Sequence, residues 1–497
     1  MNTILTAIEQ RPGATFAVYC ALHVIIWSAL PALLYPNLPL DLIEALTYGR
    51  EWQLGYDKLP PLPWWLVELT YRIFRYDLFY YVLAQVTVVS AFALIWYTAR
   101  PLIGALGALA ALLLIDGLHY FHFTAVKFNH DVIQLPLWAL AGFSYYAALQ
   151  RGRLVHWFLL GLAIGVAFWA KYFIAMLVVP LALFLVLDPQ ARRNLAKPGP
   201  YLAFAIALIV ALPHLVWLIK NDFVPFKYAE ARAAPVHGAL DYLWHPLQFV
   251  VGQLYFLLPT LIIATPLFFP HVARDRPAIG AYDRRIITLL AFGPAATVVA
   301  LSLVTGRGTI AMWGYPIWLF LGLWVLLTAP AIDRNQFKQV AVLWALAFTG
   351  FVGGFVADYV VLPPIDERYR AVFFPGDRLG AEMSTRFRVM TGTPLAYVIA
   401  TMWIGGNVAH YAPEHPRVLI DGSPRRAPWI DLGDLRSHGA VVVWTAGDPR
   451  VLPKEFRAIA ADAEIQTPFS LPNRNGTGHV QVGWAVLRPR PSVAGRE

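Results

Sequence analysis

The chain is a succession of apolar runs long enough to cross a lipid bilayer, and nothing else in its 497 residues restricts the fold as much. A spanning helix needs about 20 mostly apolar residues, because hydrocarbon offers the backbone no hydrogen-bond partner outside the helix itself. Runs of this kind fall at 15–34, 79–98, 102–118, 132–149, 155–170, 172–187, 201–219, 247–269, 286–304, 311–328 and 338–357. They predict an α-helical polytopic membrane protein with about eleven spans. The two runs around Lys171 are together too long for one span and read as two short spans with a tight turn at Ala170–Tyr172. Only 14% of the residues are charged and 58% are hydrophobic, whereas a soluble domain carries about 25% charged residues. That excludes a soluble enzyme and a disordered chain, and the single cysteine, Cys20, excludes a disulfide scaffold. The net charge of +9 comes from basic residues scattered between apolar runs, so it does not point to a nucleic-acid partner.

Lys and Arg in short loops mark the cytoplasmic side of a membrane protein. One alternating set of loops holds Arg100; Arg151 and Arg153; Arg192, Arg193 and Lys197; Arg274, Arg276, Arg284 and Arg285; and Arg334 and Lys338. The other set, 35–78, 119–131, 220–246 and 305–310, carries both signs of charge and is predicted to face outward. The N-terminus is then inside and the C-terminal segment outside. Met1–Ala14 contains Glu9 and leads straight into the first run, so no cleavable signal peptide is expected.

Composition shifts after residue 358, which predicts a membrane domain over 1–358 and a small C-terminal α/β domain over 359–497. Segments 363–390 and 412–440 are rich in Pro, Gly, Arg and Asp. Short β-like runs lie at Leu395–Thr401, Arg417–Ile420, Ala440–Thr445 and His479–Leu487, and helical stretches at 377–390, 403–411 and 453–462. No phosphate-cradling Gly-rich loop or nucleophile elbow is present, so the domain reads as a structural or acceptor-docking module.

The first long loop is the most informative stretch. Helix–helix connections in bundles usually take about two to eight residues, whereas 35–78 keeps helical apolar spacing through Leu42, Ala45, Leu46, Gly49 and Trp52, and again through Leu66, Leu69 and Ile73. With Trp52, Tyr56, Trp64, Trp65, Tyr71 and Tyr76 among them, these segments are predicted to be helices lying at the membrane interface, separated by Pro60 and Pro61. Asp41 and Glu44 stand on one helical face just past the first span. Two acids there suit either a solvated helix start or a site that uses them.

The block Asp41-x-x-Glu44…Gly55-Tyr56-x-Lys58-x-Pro60-Pro61-Leu62-x-x-Trp65 resembles the first periplasmic loop of bacterial GT-C glycosyltransferases, relatives of protein O-mannosyltransferases and lipid A aminoarabinose transferases. Lys127-Phe128-Asn129, Gly161-x-x-x-Gly165…Ala170-Lys171-Tyr172 and Pro213-His214-x-x-Trp217 follow in the order that the resemblance implies, which covers about 35–330. It implies inverting transfer of one sugar from a polyprenyl-phosphate-sugar donor to an envelope acceptor, whether glycan, lipid or protein, at the periplasmic face of the bacterial inner membrane. Asp41 matches the loop acid that takes the acceptor's proton, with Glu44 beside it; Leu42 stands where the family often has a second acid. Lys58 and Lys171 match the cations that meet the donor phosphate, although Leu59 here separates the lysine from the prolines. Arg307, in the turn Thr305–Gly308, either reaches the phosphate or anchors a helix end. Tyr56, Lys127, Asn129, Asp131 and Asp116 are expected to line the cavity.

The resemblance implies no obligatory cofactor. Some members use a divalent metal near the loop carboxylates, for which Asp57 with His214 or His245 are the residues available. His119 and His122 also have ligand-like spacing, but no third ligand adjoins them, and polar capping is the plainer reading. Trp313 and Trp318 read as packing residues. The competing class is a secondary transporter or a lipid-linked-sugar flippase. Transporters carry ionisable groups near the midplane in paired halves, whereas here they gather at span ends on one side.

Overall fold

The computed structural model describes residues 6, 8–269, 279–366 and 368–490; Arg274 and Arg276 of the predicted cytoplasmic loop lie outside them. Among the described residues six helices are long and apolar enough to cross a membrane: Pro12–Leu34, Leu78–Ile115, Gly199–Lys220, Asp241–Phe268, Ala281–Thr305 and Arg334–Val361. The runs at 79–98 and 102–118, predicted as separate spans, are two helices within the stretch Leu78–Ile115, parted where Gly104 takes φ 69° and ψ 179°, three residues after Pro101. Proline removes a backbone donor and glycine alone adopts that φ without strain, so the pair ends one helix and lets the next begin in a new direction. The runs at 132–149, 155–170 and 172–187 form shorter helices, Gln134–Arg151, Leu154–Ala170 and, after a 3-10 turn at Tyr172–Ile174, Ala175–Leu187.

The run 311–328 departs from expectation. It holds a 3-10 turn, Ala311–Gly314, and an α-helix of only 8 residues, Leu321–Thr328. The irregular stretch is buried all the same, with Tyr315, Ile317 and Leu319 at most 1% exposed. Irregular backbone survives in such surroundings only where protein groups satisfy it. The Ala311 carbonyl accepts hydrogen bonds from Tyr120 Oη at 2.7 Å and Gln253 Nε2 at 2.8 Å, and the Trp318 indole donates to Gln253 Oε1 at 2.9 Å.

The described chain divides into two compact units. The first comprises Met1–Leu30, Asp57–Pro63 and Tyr81–Phe355 and is helical. Small residues let its helices touch: a side chain at Gly165 would meet Val210 at 2.7 Å, and one at Gly161 would strike the Ala203 carbonyl. This is the close backbone approach that small residues four apart permit.

The second unit comprises Pro31–Tyr56, Trp64–Tyr80 and Val356–Glu497. Its sheet holds β1 (Tyr397–Ala400), β2 (Arg417–Ile420), β3 (Ala440–Trp444), β4 (Glu464–Ile465), β5 (Phe469–Pro472) and β6 (His479–Leu487). The order is β2-β1-β3-β6-β4, with β5 also pairing β6. β1 lies parallel to β2 and β3, and β6 runs antiparallel to β3. Alternate residues face opposite sides of a strand. Val398, Val441 and Val443 accordingly pack with Leu379, Met383, Phe387 and Val408, and Ile399 and Val442 with Leu435 and Phe456. Apolar residues on both faces make these strands continuous hydrophobic runs, the form expected of a covered sheet. The helix Leu432–His438, capped by Asp431, and the short strands β4 and β5 lie outside the predicted elements. The predicted helix 453–462 is a 3-10 turn, Lys454–Phe456, followed by Arg457–Ala460.

The first long loop contributes two helices, Leu40–Gly49 and Leu62–Phe74. The former is buried from Leu42 to Gly49, enclosed by protein. Apolar periodicity specified that this face is covered, but not what covers it. Met402–Tyr411 is the partner: a side chain at Gly406 would meet Thr47 Oγ1 at 2.5 Å and Ile43 Cγ2 at 2.6 Å.

Candidate active site

In the helical unit the cationic centre is Lys171. The helix Leu154–Ala170 stops there because Lys171 is extended, with φ −165° and ψ 135°, before the 3-10 turn resumes. Its ammonium lies 2.6 Å from Asp131 Oδ1, in a pair only 12% and 17% exposed. The same ammonium sits 5.5 Å from the Trp313 ring and 5.9 Å from Phe173, within the range in which an aromatic face attracts a cation.

Asp131 is held by its own loop. Asn129 Oδ1 accepts from the backbone N–H groups of Asp131 at 2.9 Å and Val132 at 3.1 Å, and Gln134 Nε2 donates to Asp131 Oδ1 at 3.4 Å. Short polar side chains that bond backbone two or three residues ahead fix turns in this way. His130 Nε2 lies 2.9 Å from the Pro60 carbonyl, which ties segment 57–63 to this loop. On that segment, Lys58 is half-buried and its ammonium stands 5.3 Å from the Tyr228 ring. Lys127 is half-buried at the start of the Asn129 loop.

The other predicted residues of this unit have defined places. Arg307 Nη2 pairs with Glu230 Oε1 at 2.7 Å. His214 contacts the Tyr172 hydroxyl at 2.9 Å and stacks on Trp217, and His245 Nδ1 meets the Gly306 carbonyl at 2.7 Å. The spacing-based pair His119 and His122 is divided: His119 stacks between Phe123 and Phe256, while His122 turns to Asp116. Asp116 is fully buried and His23 approaches it from the first helix.

In the sheet-bearing unit, Asp41 is half-buried in the first turn of Leu40–Gly49, and Glu44, one turn on, is 6% exposed. Tyr56 is enclosed: its hydroxyl donates to the Tyr48 carbonyl at 2.7 Å, and its ring meets Trp64 edge-on at 4.9 Å. Burial pushes the Tyr56 hydroxyl well above its ordinary pKa. Trp64 in turn stacks on Tyr48 at 4.4 Å. A side chain at Gly49 would strike the Trp64 carbonyl, so glycine is what lets the two loop helices meet.

Beside them lies a cavity of about 400 Å³ lined by Arg50, Glu51, Glu68, Tyr71, His415 and Arg417 among others. Arg417 Nη2 and Glu51 Oε2 are 2.5 Å apart, and Arg50 Nη1 donates to the Pro416 carbonyl at 3.0 Å. Burial holds the Arg50 guanidinium below its ordinary pKa, against the opposing pull of Glu51 and Glu68; the Glu51 hydrogen bond raises that of Arg417. None of these residues was singled out from the sequence as a site residue; Tyr71 figured only among the interfacial aromatics. The Arg50-Glu51 dipeptide in a loop that must fold was the one available signal, since its partners lie more than three hundred residues on.

Beside these multi-pass helices and the Lys171 ammonium set against a carboxylate and aromatic rings, comparison with known proteins identifies an integral-membrane glycosyltransferase that uses a polyprenyl-phosphate sugar donor. Residues 58–217 match the dolichyl-phosphate-mannose-protein mannosyltransferase family. The chain is 25% identical to the lipopolysaccharide core galacturonosyltransferase RgtA of Rhizobium johnstonii over 98% of both proteins. It is 24% identical to the lipid A galacturonosyltransferase RgtD of the same organism, over 56% of this chain and 58% of that one. Its fold is that of ArnT from Cupriavidus metallidurans bound to undecaprenyl phosphate, with a TM-score of 0.61 at 13% identity over 97% of this chain and 99% of that one. The apo form of ArnT gives a TM-score of 0.62.

Proposed function

We propose that the protein transfers a galacturonosyl residue from a polyprenyl-phosphate donor to the core or lipid A part of lipopolysaccharide, at the periplasmic face of the inner membrane. The end-to-end correspondence with a lipopolysaccharide core galacturonosyltransferase carries this reading. Sidedness rests on the arginines of the short loops, and the eleven-span count and the domain boundary at 358 remain part of the same proposal.

The chemistry follows from the residue types. The acceptor hydroxyl attacks the anomeric carbon opposite the phosphate, the bond from that carbon to the phosphate oxygen breaks, and the configuration inverts. Asp41 takes the hydroxyl proton, with Glu44 supporting it, and polyprenyl phosphate departs with the electron pair. Lys58 and Lys171 offset the negative charge that grows on the leaving phosphate, which is where a preformed cation accelerates such a step. Asp131 holds the Lys171 ammonium in place, Arg307 is assigned to the donor phosphate with the two lysines, and Lys127 and Asn129 to the surrounding cavity.

The test supplies membranes containing the protein with a polyprenyl-phosphate-galacturonic acid donor and lipopolysaccharide lacking that sugar. Mass spectrometry is expected to show one added galacturonosyl unit, and Asp41→Asn to lose about 10²–10⁴-fold in rate while still inserting into the membrane. An acceptor left unmodified by this donor but modified by another polyprenyl-phosphate sugar would refute the sugar assignment. Undiminished transfer by Asp41→Asn would refute the base.

A further inference from the structure

Three side chains to which the proposed transfer gives no chemical step close on one another inside the helical unit. His23 lies in mid-helix on Pro12–Leu34, Asp116 directly follows the kinked helix, and His122 follows the 3-10 turn His119–Phe121. They are 1%, 0% and 0% exposed. His23 Nδ1 and His122 Nε2 approach the same oxygen, Asp116 Oδ1, at 3.3 Å and 3.2 Å. All the facing atoms lie within 4.8 Å of one another, the one such group of three among the described residues.

Neither approach is a hydrogen bond in its alignment. Both nitrogens of both rings, and Asp116 Oδ1, have no hydrogen-bond partner. An unsatisfied buried polar atom costs about 1–3 kcal/mol, and here five adjoin. The other carboxylate oxygen is committed, since the Trp344 indole donates to Asp116 Oδ2 at 2.7 Å. That bond turns Oδ1 toward the histidines.

The spacing has a simple reading. Ligand atoms at about 2.0–2.1 Å from a tetrahedral centre stand about 3.3 Å from each other, the separation that each histidine nitrogen keeps from Asp116 Oδ1. Two imidazoles and a carboxylate form a donor set suited to zinc. The rings are walled by aromatics that favour a net positive centre: His122 lies 4.4 Å from Phe351 and 5.0 Å from Trp27, and His23 lies 5.5 Å from Phe92. The Tyr19 hydroxyl, also buried without a hydrogen-bond partner, sits one helical turn before His23 on the same face.

We infer that His23, Asp116 and His122 form a buried zinc site that fastens the first helix to the His119–Phe123 turn. It is independent of the proposed transfer chemistry.

Elemental analysis of the full-length protein, purified in detergent and dialysed against metal-free buffer, is expected to find about one zinc per chain. His122→Gln and Asp116→Asn lower this at least ~10-fold, whereas His119→Gln, whose ring stacks elsewhere, retains it. Cobalt exchanged into the wild-type protein gives the intense visible bands of a tetrahedral centre, a readout that needs no variant to fold. Wild-type protein that takes up neither zinc nor cobalt would overturn the inference and leave a proton-sharing His–Asp–His cluster. Metal retained undiminished in both His122→Gln and Asp116→Asn would overturn it too.

Discussion

The Lys171–Asp131 pair allows the electrostatics of the helical unit to be measured directly. The perturbation is Asp131→Asn and Lys171→Gln, singly and together, each close in size to the residue replaced. With Nζ and Oδ1 2.6 Å apart and both side chains at least four-fifths buried, the attraction amounts to about 4 kcal/mol or more at an effective dielectric of ~20. Desolvation of both ions offsets most of it. Breaking a fully buried pair costs about 3–5 kcal/mol because one charge is left unmatched. The residual solvent contact here lowers that to about 2–3 kcal/mol. The double variant leaves no unmatched charge, so its loss is expected to fall short of the summed single losses by about 1–2 kcal/mol. Equilibrium unfolding in mixed micles of rising denaturing-detergent fraction supplies the three free energies. Steady-state transfer supplies a second reading: Lys171→Gln is expected to lose about 10²-fold in kcat/KM, and Asp131→Asn less, since the ammonium remains. Single losses that simply add would refute the coupling. Equal loss of transfer in the two variants would refute the division of roles.

Other outcomes are accessible with simpler variants. Gly406→Val is expected to unseat the helix Leu40–Gly49, at a cost of about 1–3 kcal/mol, because its side chain would overlap Thr47 and Ile43; limited proteolysis of the loop is the check, and wild-type resistance would contradict the packing. Glu414→Gln weakens the sheet-bearing unit. Burial raises the pKa of that carboxyl, but the hydrogen bonds from Ser384 and Arg388 outweigh it and leave the group below its ordinary value. Its stabilisation is therefore present above the unfolded carboxyl's pKa and disappears as pH falls through the lower folded value. The melting difference between variant and wild type is expected to be largest near neutrality and to close under strong acid; a pH-independent difference would rule this out. A reporter active only in the periplasm, fused after the sheet, is expected to be active, and silence would reverse the proposed orientation.

The apolar runs made most of the helices legible, because a backbone surrounded by apolar side chains has few other ways to satisfy itself. They did not distinguish a spanning helix from a buried irregular segment. At 311–328 the deciding partners are Gln253 and Tyr120, far away in sequence. The Arg100-Pro101 punctuation did mark the end of one helix and the start of another, with the break itself at Gly104. In the sheet, β1, β2, β3 and β6 stood out as continuous apolar runs, while the two-residue β4 carries no periodic signal at all. Lys171 and Asp131 could each be picked from their loops, but their contact could not. The cluster of His23, Asp116 and His122 was beyond reach for the same reason: its members come from three elements whose packing is a tertiary fact.

The discontinuity of the second unit sets a timetable for biosynthesis. The helix Leu40–Gly49 is made early, yet the residues that cover it, Gly406 among them, come from the C-terminal domain. At ~5–20 residues per second the intervening stretch of about 350 residues takes roughly 18–70 s to synthesise. For that time Ile43 and Thr47 lack the cover that Gly406 provides. A nascent chain arrested before residue 402 would leave the ribosome with its membrane helices complete and its first loop unformed. Such a product would be inserted but inactive, and the loop would be a natural target for proteases and holding chaperones.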